Sequence, residues 1–252
     1  MPQVGKEALS QFIRTECLRL LRLNLSPDAQ AFQQERTAAG MPPVQPPRPG
    51  LEYLAQAGEE WQAEKIADLS DTFGTAVVIG DRYTNQAGQE RFREIELVNH
   101  LTTAPQGSFL VESQFDVGPA FEGALGIAVY RQAYGLNYSR LRPDLIEVLP
   151  PTSNIDRYVT PAGAVLWLAA DDHRIKLRVI DIKLTAEPSP SYFAEVTYYS
   201  MALAGWLVDR CLDNRYVVVP DAAIWPGSHD ASCLVRTCRE IEDQGGTPTY
   251  VQ

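Results

Sequence analysis

Residues 177–203, LRVIDIKLTAEPSPSYFAEVTYYSMAL, decide how this chain reads. The segment opens on a β-branched run, Val179, Ile180 and Ile182, that also carries Asp181 and Lys183. Side chains alternate faces along a strand, so Asp181 and Lys183 project the same way. An aspartate and a lysine on an apolar strand are costly to bury unless they pair or bind a metal. Some ten residues on, Glu195 and Tyr199 stand at i and i+4, on one face of a helix. A carboxylate, a lysine and a polar helix face converging on one spot describe a site for a metal ion and a phosphate.

Outward from this segment the pattern mixes strands and helices. Residues 164–169 and 175–184 read as two strands joined by a turn at Asp171-Asp172-His173. Residues 145–149 form a strand just past Asp144, stopped by Pro150-Pro151. Residues 75–79 and 108–117 read as strands, 90–101 as a helix, and 118–126 as a turn-rich connection. Residues 191–208 form a long apolar helix, followed by strands at 216–219 and 222–225 split by Pro220. Before all of these, residues 6–24 have helical spacing. A second helix starts at Ser26-Pro27-Asp28, with serine as cap and proline at the first position. The proline-rich 41–50, MPPVQPPRPG, is a linker, and 51–70 is an amphipathic helix. The last ten residues are polar and read as frayed. The expected fold class is α/β, a mixed central sheet flanked by helices. Residues 1–50 form a helical elaboration with its linker, and 51–252 the main domain.

Composition narrows the function. The chain has 252 residues, 45% hydrophobic and 21% charged, enough for one large domain with an elaboration. No apolar run approaches the ~18 residues of a membrane span, and the start lacks a signal-peptide core. The expectation is a soluble cytoplasmic protein with no membrane partner. A net charge of −10 counts against broad, non-specific nucleic-acid binding. A local basic groove remains open to it, since Arg131, Arg140, Arg142, Arg174, Lys176 and Arg178 lie near the site in sequence. Glu112 and Asp116 read as an exposed strand face. His100, His173 and His229 are scattered with no metal-ligand spacing, and Trp206 and Trp225 read as core. No Walker-type phosphate loop or nucleophilic serine elbow occurs.

Taken together, the motifs resemble the PD-(D/E)xK nuclease superfamily, in its RecB-like and Cas4-like branch. Arg142-Pro143-Asp144-Leu145-Ile146 resembles the first metal-binding aspartate at the head of a core strand. Asp181-Ile182-Lys183 is similar to the D-x-K motif, with Thr185 fitting its D-x-K-x-T variant. Glu195-Val196-Thr197-Tyr198-Tyr199 resembles the Q-x-x-x-Y helix motif, with glutamate in place of glutamine. The segment 10–21, SQFIRTECLRLL, is similar to the cysteine-bearing N-terminal helix of Cas4-like members.

The resemblance implies a restriction-endonuclease-like core and a Mg²⁺- or Mn²⁺-dependent deoxyribonuclease serving repair, recombination or defence against foreign DNA. DNA would be its substrate, and a helicase or another protein of a larger complex its partner. Phosphodiester hydrolysis needs a metal to activate water and neutralise charge, and Mg²⁺ prefers carboxylates and carbonyls. The metal ligands implied are Asp144, Asp181, the Ile182 carbonyl and Glu64. Lys183 orients water or stabilises the phosphorane, and Tyr199 positions a phosphate or a metal ligand.

Three features depart from that pattern. The early helix lacks the branch's histidine, for which Glu60 and Glu64 could substitute. Glu195 replaces a neutral amide. Cys17, Cys211, Cys233 and Cys238 lack the spacing of an iron–sulfur cluster, which is not the favoured reading. These departures support the alternative of a catalytically inactive member that binds nucleic acid or a protein.

Overall fold

The computed structural model describes residues 3–19, 21, 25, 34, 37–38, 40, 51–84, 90–135, 137–185, 189–227 and 239. Within them the chain forms a mixed sheet between helical layers. Its strands are β1 (Val77–Val78), β2 (Ser108–Val111), β3 (Leu145–Val148) and β4 (Arg157–Val159). β5 (Val165–Trp167), β6 (Ile175–Lys183), β7 (Tyr216–Val218) and β8 (Ala223–Pro226) follow. The spatial order is β5-β4-β7-β6-β3-β2-β1. β8 continues beyond β7 along the same edge of β6. β2, β3 and β6 are a run of antiparallel neighbours, whereas β7 and β8 lie parallel to β6. A parallel return needs a crossover, and helix α3 (Pro190–Asp209) supplies it.

β6 is central because its two faces are both apolar. Leu177 and Val179 face one core, which contains Val196, Leu203 and Trp206 of α3. Ile182 faces the other, built on Ala57, Trp61, Ile66 and Leu69 of α2 (Leu51–Phe73). α3 is buried around most of its circumference. Helix α1 (Lys6–Thr15) and the short helix Pro119–Leu125 cover the sides that the sheet does not. Gly205 lets the second of these approach. A Cβ there would lie 2.8 Å from Phe121 Cβ and 2.9 Å from its backbone nitrogen.

Several expectations are corrected. The helix expected over 6–24 is broken: α1 ends at Thr15, where Glu16 turns left-handed (φ 49°) and returns its N–H to Phe12, and Leu18, Arg19 and Leu21 are helical again. Residues 90–101 hold only one helical turn, Leu97–His100. Glu90–Phe92 pairs instead with Arg82–Thr84, and Ile95–Glu96 with Ser113–Gln114. Residues 118–126 hold a helix, Pro119–Leu125, not a turn-rich connection: two of the three glycines, Gly118 and left-handed Gly126, are its caps. β5 and β6 are not hairpin partners: among the described residues β5 pairs with β4, at the sheet edge. Asp172 does more than turn the chain, pairing with Arg174 at 2.6 Å.

The expected helix from residue 27, the linker 41–50 and the frayed terminus lie outside the described residues. The N-terminal elaboration is tied into the main body. Gln3–Val4 pairs in parallel with Asn137–Tyr138, and α1 packs on α3. No described helix is long and apolar enough to cross a membrane.

Candidate active site

Strand register assembles the site. Val111 of β2 pairs with Leu145 of β3, and Leu145 pairs with Ile180 of β6. One step further, the same registers set Glu112 beside Asp144 and Asp144 beside Asp181. The Glu112 N–H donates to the Asp144 carbonyl at 2.9 Å. Directly opposed residues in antiparallel strands have Cβ atoms about 5 Å apart. Three acidic residues therefore occupy one row across the end of the sheet where β6 stops and α3 begins.

Asp181 is fully buried. Lys183 Nζ lies 2.7 Å from its Oδ2 and 3.4 Å from Glu195 Oε2 on α3. The Asp181 contact lacks hydrogen-bond alignment, so both Asp181 oxygens are without a donor, as is Glu195 Oε2. Burial, reinforced by the Asp144 charge, pushes the Asp181 carboxyl up to about 6 against the pull of Lys183. Burial works against the Lys183 ammonium too, but the carboxylates of Asp181 and Asp144 outweigh it and hold its pKa above the usual lysine value. The ion pair thus keeps the lysine charged more firmly than it keeps the aspartate ionised. Glu195 in place of an amide gives Lys183 a second anchor.

Asp144 is held from two sides. Its Oδ2 accepts the Ile182 N–H at 2.6 Å, and its Oδ1 accepts the Gln62 amide at 3.1 Å. In an extended strand the N–H and C=O of one residue leave by the same edge. The Ile182 carbonyl therefore also points toward Asp144. Gln62 donates as well to Glu112 Oε1 at 3.1 Å, so one neutral amide spans two carboxylates. Burial raises the Glu112 carboxyl above its usual range, with Arg142 opposing.

Asp144, Asp181, Lys183 and Glu195 are thus brought together, and two of the expected roles change. Glu64 is exposed on α2, and the side chain that reaches Asp144 from that helix is Gln62. Two helical positions are about 200° apart, so Glu64 points away and is corrected as a ligand. Glu60 is taken by Gln56 at 3.1 Å. Tyr199 is buried, and its hydroxyl donates to the Arg142 carbonyl at 3.3 Å. It positions the segment leading into Asp144 rather than presenting a group to a phosphate.

The sequence reading missed Gln62 and misplaced Glu112. Gln62 stands at i, i+4 and i+7 with Ile66 and Leu69 in a buried stripe, a polar residue where an apolar one is expected. Glu112 sits at a left-handed backbone position (φ 46°), which breaks the alternation that made it look exposed.

Two buried carboxylate oxygens without donors, opposite a second carboxylate, fit a cation. Among the described residues no three His, Cys, Asp or Glu form a group able to hold one unaided. Cys17 is half-buried beyond α1 and Cys211 is exposed. Cys233 and Cys238 lie outside the described residues. No protein-family model matches the chain, and no curated protein or solved structure matches it.

Proposed function

We propose that this chain is a metal-dependent nuclease that hydrolyses DNA phosphodiester bonds, on a core of the restriction-endonuclease-like kind. One observation carries the reading: Asp144 and Asp181 stand opposite each other on adjacent strands, with Lys183 against an Asp181 whose oxygens lack donors. The motif resemblance adds DNA as the substrate. Asp144, Asp181 and the Ile182 carbonyl would hold Mg²⁺ or Mn²⁺, which when bound would supply charge neutralisation at phosphorus and a more acidic water.

The protein side of the mechanism follows from the contacts. Lys183 stays protonated and offers its remaining N–H groups to the phosphoryl oxygens that gain charge in the transition state. Glu195 keeps that ammonium from swinging away. Gln62 and the Ile182 N–H hold the Asp144 carboxylate before substrate arrives, so no reorganisation is needed on binding. Tyr199 fixes the Arg142 backbone from beneath.

The test is incubation of linear single- and double-stranded DNA with the protein in Mn²⁺, Mg²⁺ or EDTA, alongside Asp144→Ala and Asp181→Ala. Metal-dependent cleavage lost in both variants is expected. Cleavage that survives Asp181→Ala overturns the assignment. No cleavage and no thermal stabilisation by Mn²⁺ would identify a catalytically inactive, nucleic-acid- or protein-binding chain.

A further inference from the structure

A cleft of about 250 Å³ opens along the segment that leads into Asp144, and its wall includes Lys6, Ser139, Arg140, Arg142 and Tyr199. Glu7, Glu94 and Gln114 also line it. The arginines are already engaged: Arg140 pairs with Glu96 and Asp116, and Arg142 with Glu94. Lys183 is held by Asp181 and Glu195. Lys6 differs. Its Nζ lies 5.7 Å from the centroid of the Tyr199 ring. Among the described residues no carboxylate stands within ion-pair distance of it. It is near enough to the reacting groups to pull the Asp181 carboxyl down and to disfavour the Lys183 ammonium.

The chain builds this position deliberately. The Ser139 N–H donates to Val4 O at 3.1 Å, and Gln3–Val4 pairs with Asn137–Tyr138. The start of the chain is thereby bolted to the segment that runs through Arg140 and Arg142 into Asp144. Gly5 then caps α1 against the Ser139 side chain. Lys6 is the next side chain, and it lines the cleft.

We propose that Lys6 is a substrate-binding residue: it holds the nucleic-acid phosphate next to the one undergoing hydrolysis, in the cleft it shares with Ser139 and Arg140. This rests on the nuclease reading, since it is the position of Asp144 and Asp181 that defines the reacting phosphate. A lysine stacked on an aromatic ring, with no anion of its own, exchanges little on meeting a phosphate and gains a charge-assisted hydrogen bond.

The experiment measures binding of a fluorescein-labelled oligodeoxynucleotide by anisotropy in EDTA, across a salt series, for wild type, Lys6→Met and Lys6→Arg. Lys6→Met is expected to weaken binding about tenfold. It should also reduce the slope of log K against log salt by about 0.7 for a single strand or 0.9 for a duplex. Lys6→Arg should restore both. Unchanged affinity and slope in Lys6→Met overturn the proposal, as does a wild type that does not bind. A loss that Lys6→Arg fails to rescue means a packing role against Tyr199 and also overturns it. Asp181→Asn tests the nuclease reading separately, by cleavage alone: it should fail to cleave in Mn²⁺. Cleavage by Asp181→Asn would sink that reading while leaving the phosphate contact of Lys6 intact.

Discussion

Replacing Asp181 by asparagine should make the metal-free protein more stable at neutral pH while abolishing cleavage. Asp181 is fully buried, with both carboxylate oxygens lacking a hydrogen-bond donor. Its pKa rises from 3.8 to about 6, through burial first and the Asp144 charge second. A raised folded-state pKa means that the folded chain holds this proton more tightly than the unfolded chain. The stabilisation is complete below about pH 3.8 and is lost as pH rises through about 6. At one pKa unit per 1.36 kcal/mol, keeping the charge at pH 7.5 costs about 3 kcal/mol. Asparagine removes that cost but leaves Lys183 with Glu195 as its remaining anchor, so about 1–2 kcal/mol of net gain is expected. In a chain of this size that raises Tm by roughly 3–6 °C. Calorimetry in EDTA at pH 7.5 and pH 4 is the assay. The difference between variant and wild type should shrink at the lower pH, where both are uncharged at this position. Millimolar Mn²⁺ should raise the wild-type Tm and not that of the variant. An Asp181→Asn protein that is less stable than wild type at pH 7.5 in EDTA would refute the argument, because Lys183 would then outweigh burial.

Gln62→Leu should raise the Mn²⁺ concentration needed for half-maximal cleavage by about 10–100-fold, since Gln62 orients Asp144 and Glu112 without touching metal. Glu64→Ala on the opposite face should leave that titration unchanged, and a metal titration of both variants decides it. Tyr199→Phe loses the hydrogen bond to the Arg142 carbonyl and should cost about 1 kcal/mol in urea unfolding. Gly205→Ala drives a methyl into Phe121 and should destabilise the fold by about 1–3 kcal/mol, read in the same unfolding experiment.

The candidate site was legible where chemistry contradicted its local setting. Asp181 and Lys183 sit in a β-branched run that has no use for charge unless it pairs or binds, and Glu195 and Tyr199 share a helix face. These residues meet in the structure. Asp144, just ahead of an apolar run, was singled out by the resemblance of Arg142-Pro143-Asp144-Leu145-Ile146 to a metal-binding motif and not by its local setting. The long helix and the strands of the sheet were also readable, because their burial follows simple periods of 3.6 and 2. The missed helix 119–125 and the strands within 90–96 were not. Their glycines and mixed polarity are ambiguous locally, and their state is set by the neighbours they pair with or pack against.

By itself the sequence determined the two elements that hold the chemistry, β6 and α3, because alternation and helical spacing are properties of a single segment. Only the tertiary structure decided that Glu112, Asp144 and Asp181 share one row, since that depends on the register among three strands drawn from distant parts of the chain. It also decided that α2 presents Gln62 and not Glu64, and that α1 brings Lys6 to Tyr199. The stripe of Ile66 and Leu69 marks the face of α2 that carries Gln62, but which strand ends that face meets is set by packing, and no local pattern records it.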